Sequence, residues 1–300
     1  AGYRVVVLDN LVTGLRELVP DGAHFVEGST GDADLVDALL AREGVSAVLH
    51  FAASTVVPES IADPLKYYGN NTANSRVLLS ACHAAGVKRF VFSSTAAVYG
   101  DVAQLPVCED APLAPVSPYG HSKLMTEQML RDVSAMSGLR HAALRYFNVA
   151  GADPDGRSGQ STPAATHLIK VACEAACGKR DKLTVFGTDY DTPDGTCVRD
   201  YIHVTDLADA HIRALQYLEA GGDSVTMNCG YGRGFSIREV IAAVEHACGR
   251  PLPVEMGPRR EGDIMSIYAD NRRIVETLNW QPQYDDLGVI VQTAYDWENR

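Results

Sequence analysis

The first half of the chain alternates two kinds of apolar pattern. Short continuous apolar runs at residues 4–8, 24–27, 45–51, 89–94 and 139–147 read as buried parallel strands. Between them, residues 32–42 set Leu35, Val36, Leu39 and Leu40 at helical spacing, and residues 64–85 carry a long helix. Ser117-Pro118 introduces a helix over 119–136 with Met125, Met129, Val133 and Met136 on one stripe. This alternation predicts an α/β fold built on a doubly wound, mostly parallel sheet.

The second half is less regular. Residues 151–164 are loop by composition. A helix near 165–178, a strand at Leu183–Phe186, a loop at 187–198 and a helix over Val204–Glu219 follow. A smaller mixed α/β lobe after residue 148 is the expectation. One element is missing from the pattern. A doubly wound sheet opens with a strand, a Gly-rich turn and a helix, where a pyrophosphate meets backbone N–H groups. No Gly-x-x-Gly-x-x-Gly occurs near the start, and the chain runs from Ala1-Gly2 into what reads as the second strand. About 20 to 30 residues, the size of one strand–helix unit, are therefore expected to be missing. The alternative is a protein that never had the loop.

Composition narrows the partners. The 300 residues carry a net charge of −12, which argues against nucleic acid, because phosphate binding needs a basic face. A small anionic ligand held by a few arginines stays open. No run approaches the ~18 apolar residues of a membrane span, and the opening residues lack the pattern of a signal peptide. A cytoplasmic protein without a membrane partner is expected. The seven cysteines are scattered, with Cys173/Cys177 the one close pair, and lack the second pair that a zinc site needs. Buried free thiols and no metal are the reading.

The residues with the most to say are Tyr119-Gly-His-Ser-Lys123. A spacing of four puts Tyr119 and Lys123 on one helix face. A phenol near pKa ~10 is a poor base, and a neighbouring ammonium would favour its ionised form. Alone the pair is weak, since it occurs by chance on surface helices. Its place changes that: it follows Ser93-Ser94-Thr95 at the end of an apolar strand, where ligands of open sheets sit. Thr95 can hold a substrate hydroxyl; strand-end capping is the plainer role for Ser93 and Ser94.

With these motifs go His50-Phe51-Ala52-Ala53, Tyr67-Tyr68-Gly-Asn70-Asn71, Leu144-Arg-Tyr-Phe147-Asn148, Val198-Arg199-Asp-Tyr-Ile-His-Val204 and Arg259-Arg260-Glu-Gly-Asp263. Together they resemble the nucleotide-sugar epimerases of the extended short-chain dehydrogenase/reductase family, over essentially the whole chain. The resemblance implies a Rossmann-type NAD-binding domain over 1–148, to which residues around 200–220 return, and a UDP-sugar lobe over 149–300. It implies NAD contacts from Asp9, Asn10, Phe51, Ala52, Ala53, Asn70, Thr95, Tyr119, Lys123 and Phe147. Asp9 also reads directly: a carboxylate ending the second strand accepts ribose hydroxyls and repels a 2′-phosphate, which selects NAD over NADP. A helix N-cap is its plainer role. Ser29 and Thr55 depart from the acid and the Lys that many and some members carry, which weakens cofactor contacts there.

The family likeness assigns the UDP moiety to Asn148, His167, Leu168, Phe186, Arg199, Arg260 and Asp263, with His167 standing where some members carry Asn. Arginine forks suit phosphate oxygens, and Arg259-Arg260 sits in a loop of Gly, Pro, Glu and Asp. Ile267 matches a position that limits room at the sugar's C2 substituent. The implied reaction is 4-epimerisation of a UDP-hexose (UDP-glucose/UDP-galactose) by Tyr119, Lys123 and Thr95, in a homodimer. Other UDP-sugars, N-acetylhexosamine or pentose, are alternatives, as is a non-catalytic NAD-binding protein. A dehydratase is disfavoured because Ala96-Ala97, which cannot carry protons, follow Thr95.

Overall fold

A computed structural model describes residues 2–162, 165–260 and 263–300. The expected α/β architecture is present. The described residues divide into two compact units. One takes in Ala1–Tyr99, Leu113–Arg145 and His211–Met227; the other takes in Gly100–Pro112, Tyr146–Ala210 and Asn228–Arg300.

In the first unit the strands Val6–Asp9 and His24–Glu27 pair in parallel. A four-stranded sheet follows the order Val225–Cys229, Arg140–Tyr146, Arg89–Thr95, Ala47–His50, the last two parallel with Val48 opposite Phe90. Helices cross between strands where local chemistry starts and stops them. Asp32 accepts the Leu35 N–H at 3.1 Å to open the Ala33–Glu43 helix, and Gly44 closes it in the left-handed region at φ 58°. Ser117 accepts the Gly120 N–H at 3.2 Å, and Pro118 supplies a pre-set first turn for the Pro118–Met136 helix. Val36, Leu78, Leu79, Phe90, Phe92 and Leu130 form the centre of the core.

Two expectations in this unit need correction. The helix over 64–85 is not uniform: α-helical turns at Pro64–Tyr67 and Asn74–Ala84 flank a π-helical turn at Tyr68–Ala73. A π turn fits an extra residue into the helix and redirects the side chains around it, here turning Asn71 into the interior. The apolar stripe of the 119–136 helix is also only half covered: Met129 and Val133 pack on the core, while Met125 and Met136 are exposed. The fully buried face carries Tyr119, Ser122, Lys123, Thr126, Glu127 and Leu130. Periodicity missed that face because its polar groups are paired internally.

In the second unit the helices Leu168–Ala176, Ile237–Cys248 and Leu287–Glu298 pack on one another. The helix expected at 165–178 therefore begins later, and Pro163 and Ala164 of the expected 151–164 loop lie outside the described residues. Three small sheets complete the unit. Leu183–Phe186 pairs with Val254–Gly257, Val198–Arg199 lies between Phe235–Ser236 and Ser266–Ile267, and Asn148–Ala150 pairs with Tyr201–His203. The loop at 187–198 thus gives way to strand at Val198.

All seven cysteines are free thiols. Cys82, Cys173, Cys197 and Cys229 are buried, as expected, but Cys108 is exposed. His203 joins the Thr293 hydroxyl at 3.0 Å and accepts the Thr205 N–H at 3.1 Å, so its ring is a structural hydrogen-bonder.

Candidate functional site

In the first unit the Arg89–Thr95 strand and the Pro118–Met136 helix bring the three expected catalytic residues together. Tyr119 and Thr95 share a side-chain hydrogen bond. One turn along the helix, Lys123 is 3% exposed and donates from Nζ to the Ser93 carbonyl at 2.8 Å, while lying 5.0 Å from the centre of the Phe92 ring. Gly120 lets the helix come this close: a Cβ there would stand 2.6 Å from the Ala97 carbonyl oxygen. Thr95 also accepts the Ala97 N–H at 3.2 Å, so the turn after the strand is fixed by the side chain that faces the phenol.

The electrostatics differ from expectation. The Tyr119 phenol is raised above its ordinary value, not lowered. Burial drives the rise, and the Thr95 hydrogen bond opposes it. Burial also pushes the Lys123 ammonium down to about 7. A half-charged amine is a weak source of the field that was to acidify the phenol. His50, buried beside them, is pushed down to about 3 by burial and by Lys123, and is neutral.

Residues that local patterns did not reveal hold this arrangement. Asn71 accepts the Ser54 N–H at 2.7 Å and donates to the Ser54 carbonyl and to the Ser122 hydroxyl, each at 3.0 Å. Ser122 in turn donates to the Tyr119 carbonyl at 2.8 Å. Glu127 accepts from Ser94 at 2.5 Å and from both ends of the Arg145 guanidinium at 2.9 and 2.7 Å. Arg145 also donates to the Tyr99 hydroxyl at 3.0 Å. Ser94 therefore serves this buried network, where strand-end capping was expected of it. Glu127 shares a helix face with Lys123, the only hint the sequence offered.

The residues expected at the cofactor lie on strand ends and the π turn of the same unit. Asp9 is the last residue of its strand and accepts the Leu11 N–H at 2.7 Å, an Asx turn and not a helix cap. Asn10 is exposed. The strand before Phe51 ends at His50, so Phe51 and Ala52 leave the sheet exposed, with Ala53 half-buried. The Phe51 ring tilts on His211 with centroids 4.8 Å apart. Asn70 donates to the Ser54 hydroxyl at 3.1 Å.

In the second unit Arg260 pairs with Asp263 at 3.0 and 3.2 Å and covers the Phe186 ring at 4.6 Å. Glu261 and Gly262 of that loop lie outside the described residues. Arg199 donates to the carbonyls of Val198, Ile264 and Met265. Asn148, His167 and Leu168 line one shallow cleft with Gln160, Tyr201 and Trp297. Gln160 and His167 are hydrogen-bonded there at 2.8 Å. Phe147, half-buried, links the Arg140–Tyr146 and Asn148–Ala150 strands. Ile267 is buried on the strand beside Arg199. Among the described residues no group of three or more His, Cys, Asp or Glu side chains is placed to hold a metal ion.

The profile of the NAD dependent epimerase/dehydratase family matches residues 1–230. A UDP-glucose 4-epimerase of Azospirillum brasilense is 57% identical over 298 residues, which is 99% of this chain and 86% of that protein. A crystal structure of UDP-glucose 4-epimerase from Brucella ovis in complex with NAD superposes with a TM-score of 0.96 at 45% identity, covering 99% of this chain and 91% of that one. The UDP-Glc/GlcNAc 4-epimerase of Campylobacter jejuni is 49% identical, with a TM-score of 0.86 and coverage of 99% and 92%.

Proposed function

Because this chain belongs to the NAD dependent epimerase/dehydratase family, we propose that it interconverts UDP-galactose and UDP-glucose through a transient 4-keto sugar. The observation that carries the reading is the hydrogen-bonded pair Thr95 and Tyr119 one turn from a buried Lys123. The first unit is the NAD-binding domain, and the second holds the UDP-sugar.

The residues fit NAD. A carboxylate ends the Val6–Asp9 strand, side chains at Phe51 and Ala52 stand exposed beyond the Ala47–His50 strand, and Asn70 lies on a π turn. Lys123 would hold the nicotinamide ribose, with contacts from Phe147, Ala53 and Asn10. When bound, NAD would supply a reversible hydride acceptor for the sugar's C4.

Tyr119 takes the proton of the sugar 4-hydroxyl while Thr95 holds that hydroxyl. A phenol raised by burial is protonated in the chain alone, so it needs added positive charge to act near neutrality, and the pyridinium of NAD brings that charge. The keto sugar turns about its diphosphate linkage, and Tyr119 returns the proton on the new face. Arg199 and Arg260 hold the diphosphate, with Asn148, His167, Leu168, Phe186 and Asp263 around the nucleotide. Firm nucleotide contacts with loose sugar contacts permit that turn.

A second reading, activity on N-acetylated sugars as well, is favoured by the likeness to the Campylobacter jejuni enzyme. The test is incubation with UDP-galactose and UDP-N-acetylgalactosamine without added NAD, followed by separation of the sugars. Conversion of neither sugar refutes the proposal, and conversion of UDP-galactose alone refutes the second reading. No helix among the described residues is long and apolar enough to cross a membrane, and we place the protein in the cytoplasm. A homodimer is supported by Leu65, Ile61 and Met125, exposed on the packed helices Pro64–Tyr67, Val57–Ala62 and Pro118–Met136. Light scattering on the purified protein checks this.

A further inference from the structure

Asp200 sits at a joint. The strand before it, Val198–Arg199, pairs with Ser266–Ile267, and the strand after it, Tyr201–His203, pairs with Asn148–Ala150. Asp200 itself is fully buried. Its carboxylate accepts three backbone N–H groups, from Tyr231 at 3.1 Å, Gly232 at 3.2 Å and Ala269 at 3.1 Å. Its own N–H donates to the Ile267 carbonyl at 3.2 Å. Its carbonyl takes both the backbone N–H and the side-chain amide of Asn148, at 3.1 and 3.0 Å.

The space is shaped for that carboxylate. A Cβ on Gly230 would stand 2.6 Å from an Asp200 oxygen. A buried carboxylate is a costly way to stabilise a fold, because desolvation opposes it and an apolar side chain of similar size packs at no such cost. What the carboxylate adds is register: it ties the Tyr231–Gly232 turn and Ala269 to the one residue that separates Arg199 from the strand partnering Asn148.

We propose that Asp200 is a positioning residue for nucleotide recognition: it locks the joint between two small sheets so that Arg199, Asn148 and Ile267 keep one fixed arrangement for the uridine diphosphate. This rests on the reading that the second unit holds a UDP-sugar. Asp200 touches no substrate. It acts through its neighbours, so its loss weakens binding of the nucleotide and leaves the proton and hydride chemistry of the first unit intact.

The experiment is calorimetric titration of the NAD-loaded protein with UDP, together with steady-state kinetics on UDP-galactose. Asp200→Asn replaces one accepting oxygen by a donor that faces backbone N–H groups. The expected result is a UDP Kd raised about tenfold or more, a KM raised in step, and kcat within about threefold of the parent. Glu245→Gln is the control. It alters another half-buried carboxylate that accepts a backbone N–H, that of Leu252 at 2.9 Å, at the far end of the Ile237–Cys248 helix. It is expected to leave the UDP Kd unchanged. Should Asp200→Asn not fold, Gly230→Ala displaces the carboxylate from the neighbouring backbone and is expected to raise the Kd in the same way. An unchanged Kd in a folded variant, or an equal rise in Glu245→Gln, overturns the proposal. A parent protein that binds no UDP refutes the underlying reading instead.

Discussion

Lys123 donates to the Ser93 carbonyl at 2.8 Å from a site almost closed to water. The strand backbone thus aims an amine that burial holds near 7, at the foot of the phenol expected to move a proton. Because the carbonyl is neutral, it orients the amine without fixing its charge.

That position makes stability depend on pH. The folded pKa of Lys123 lies below its ordinary value of 10.5, so between about 7 and 10.5 the unfolded chain binds more protons than the folded one. Stability from this group therefore rises as pH increases through that window, and its cost is fully present below 7. Lys123→Met should remove a slope worth on the order of a few kcal/mol across the window. Denaturant unfolding of both proteins at pH 7 and pH 9.5 measures it, and parallel curves would refute it.

Tyr119→Phe keeps the ring against Tyr67, whose centroid is 6.5 Å away, and removes only the hydroxyl. We expect kcat to fall by roughly 10²–10⁴-fold with the protein still folded. Thr95→Val removes the hydrogen bond that lowers the phenol, so its pKa should climb further. The alkaline rise of kcat with pH should then shift upward, and a pH–rate profile reads the shift.

How much of this was legible depends on distance along the chain. Tyr119 and Lys123 are one helical turn apart, so their shared face could be read from spacing alone. Asp9 and Thr95 end strands whose apolar runs are continuous, which placed them correctly. Glu127 and Arg145 are 18 residues apart and meet only once strand and helix pack. Asn71 could not be read because a uniform α-helix would turn it elsewhere, and no local pattern announces a π turn. The raised phenol was missed for a related reason: spacing predicts a neighbouring amine, but burial decides whether that amine keeps its charge.

The Glu127–Arg145 pair is buried on both sides, with side chains 1% and 2% exposed. Removing one partner strands a charge, so Glu127→Leu should cost about 3–5 kcal/mol of stability. The double variant Glu127→Leu/Arg145→Met should recover most of that loss. Chemical denaturation of the four proteins in a cycle checks it, and additive losses would contradict it.

Arg260 is half exposed over the Phe186 ring and paired with Asp263. Arg260→Ala should weaken UDP binding by about 1.5–3 kcal/mol, the range of a charge-assisted hydrogen bond. NAD retention should not change. Calorimetry with UDP, and cofactor absorbance of the purified variant, separate the two effects.

The amide of Asn71 has a wider consequence. Its oxygen and both of its N–H groups are committed to Ser54 on one side and Ser122 on the other. The segment that leaves the Ala47–His50 strand and the helix that carries the phenol are thereby spliced through a single side chain. A disturbance at either end, whether an arriving dinucleotide or a replacement of Ser54, reaches the other across one residue, so the two sides of the chemistry cannot loosen independently.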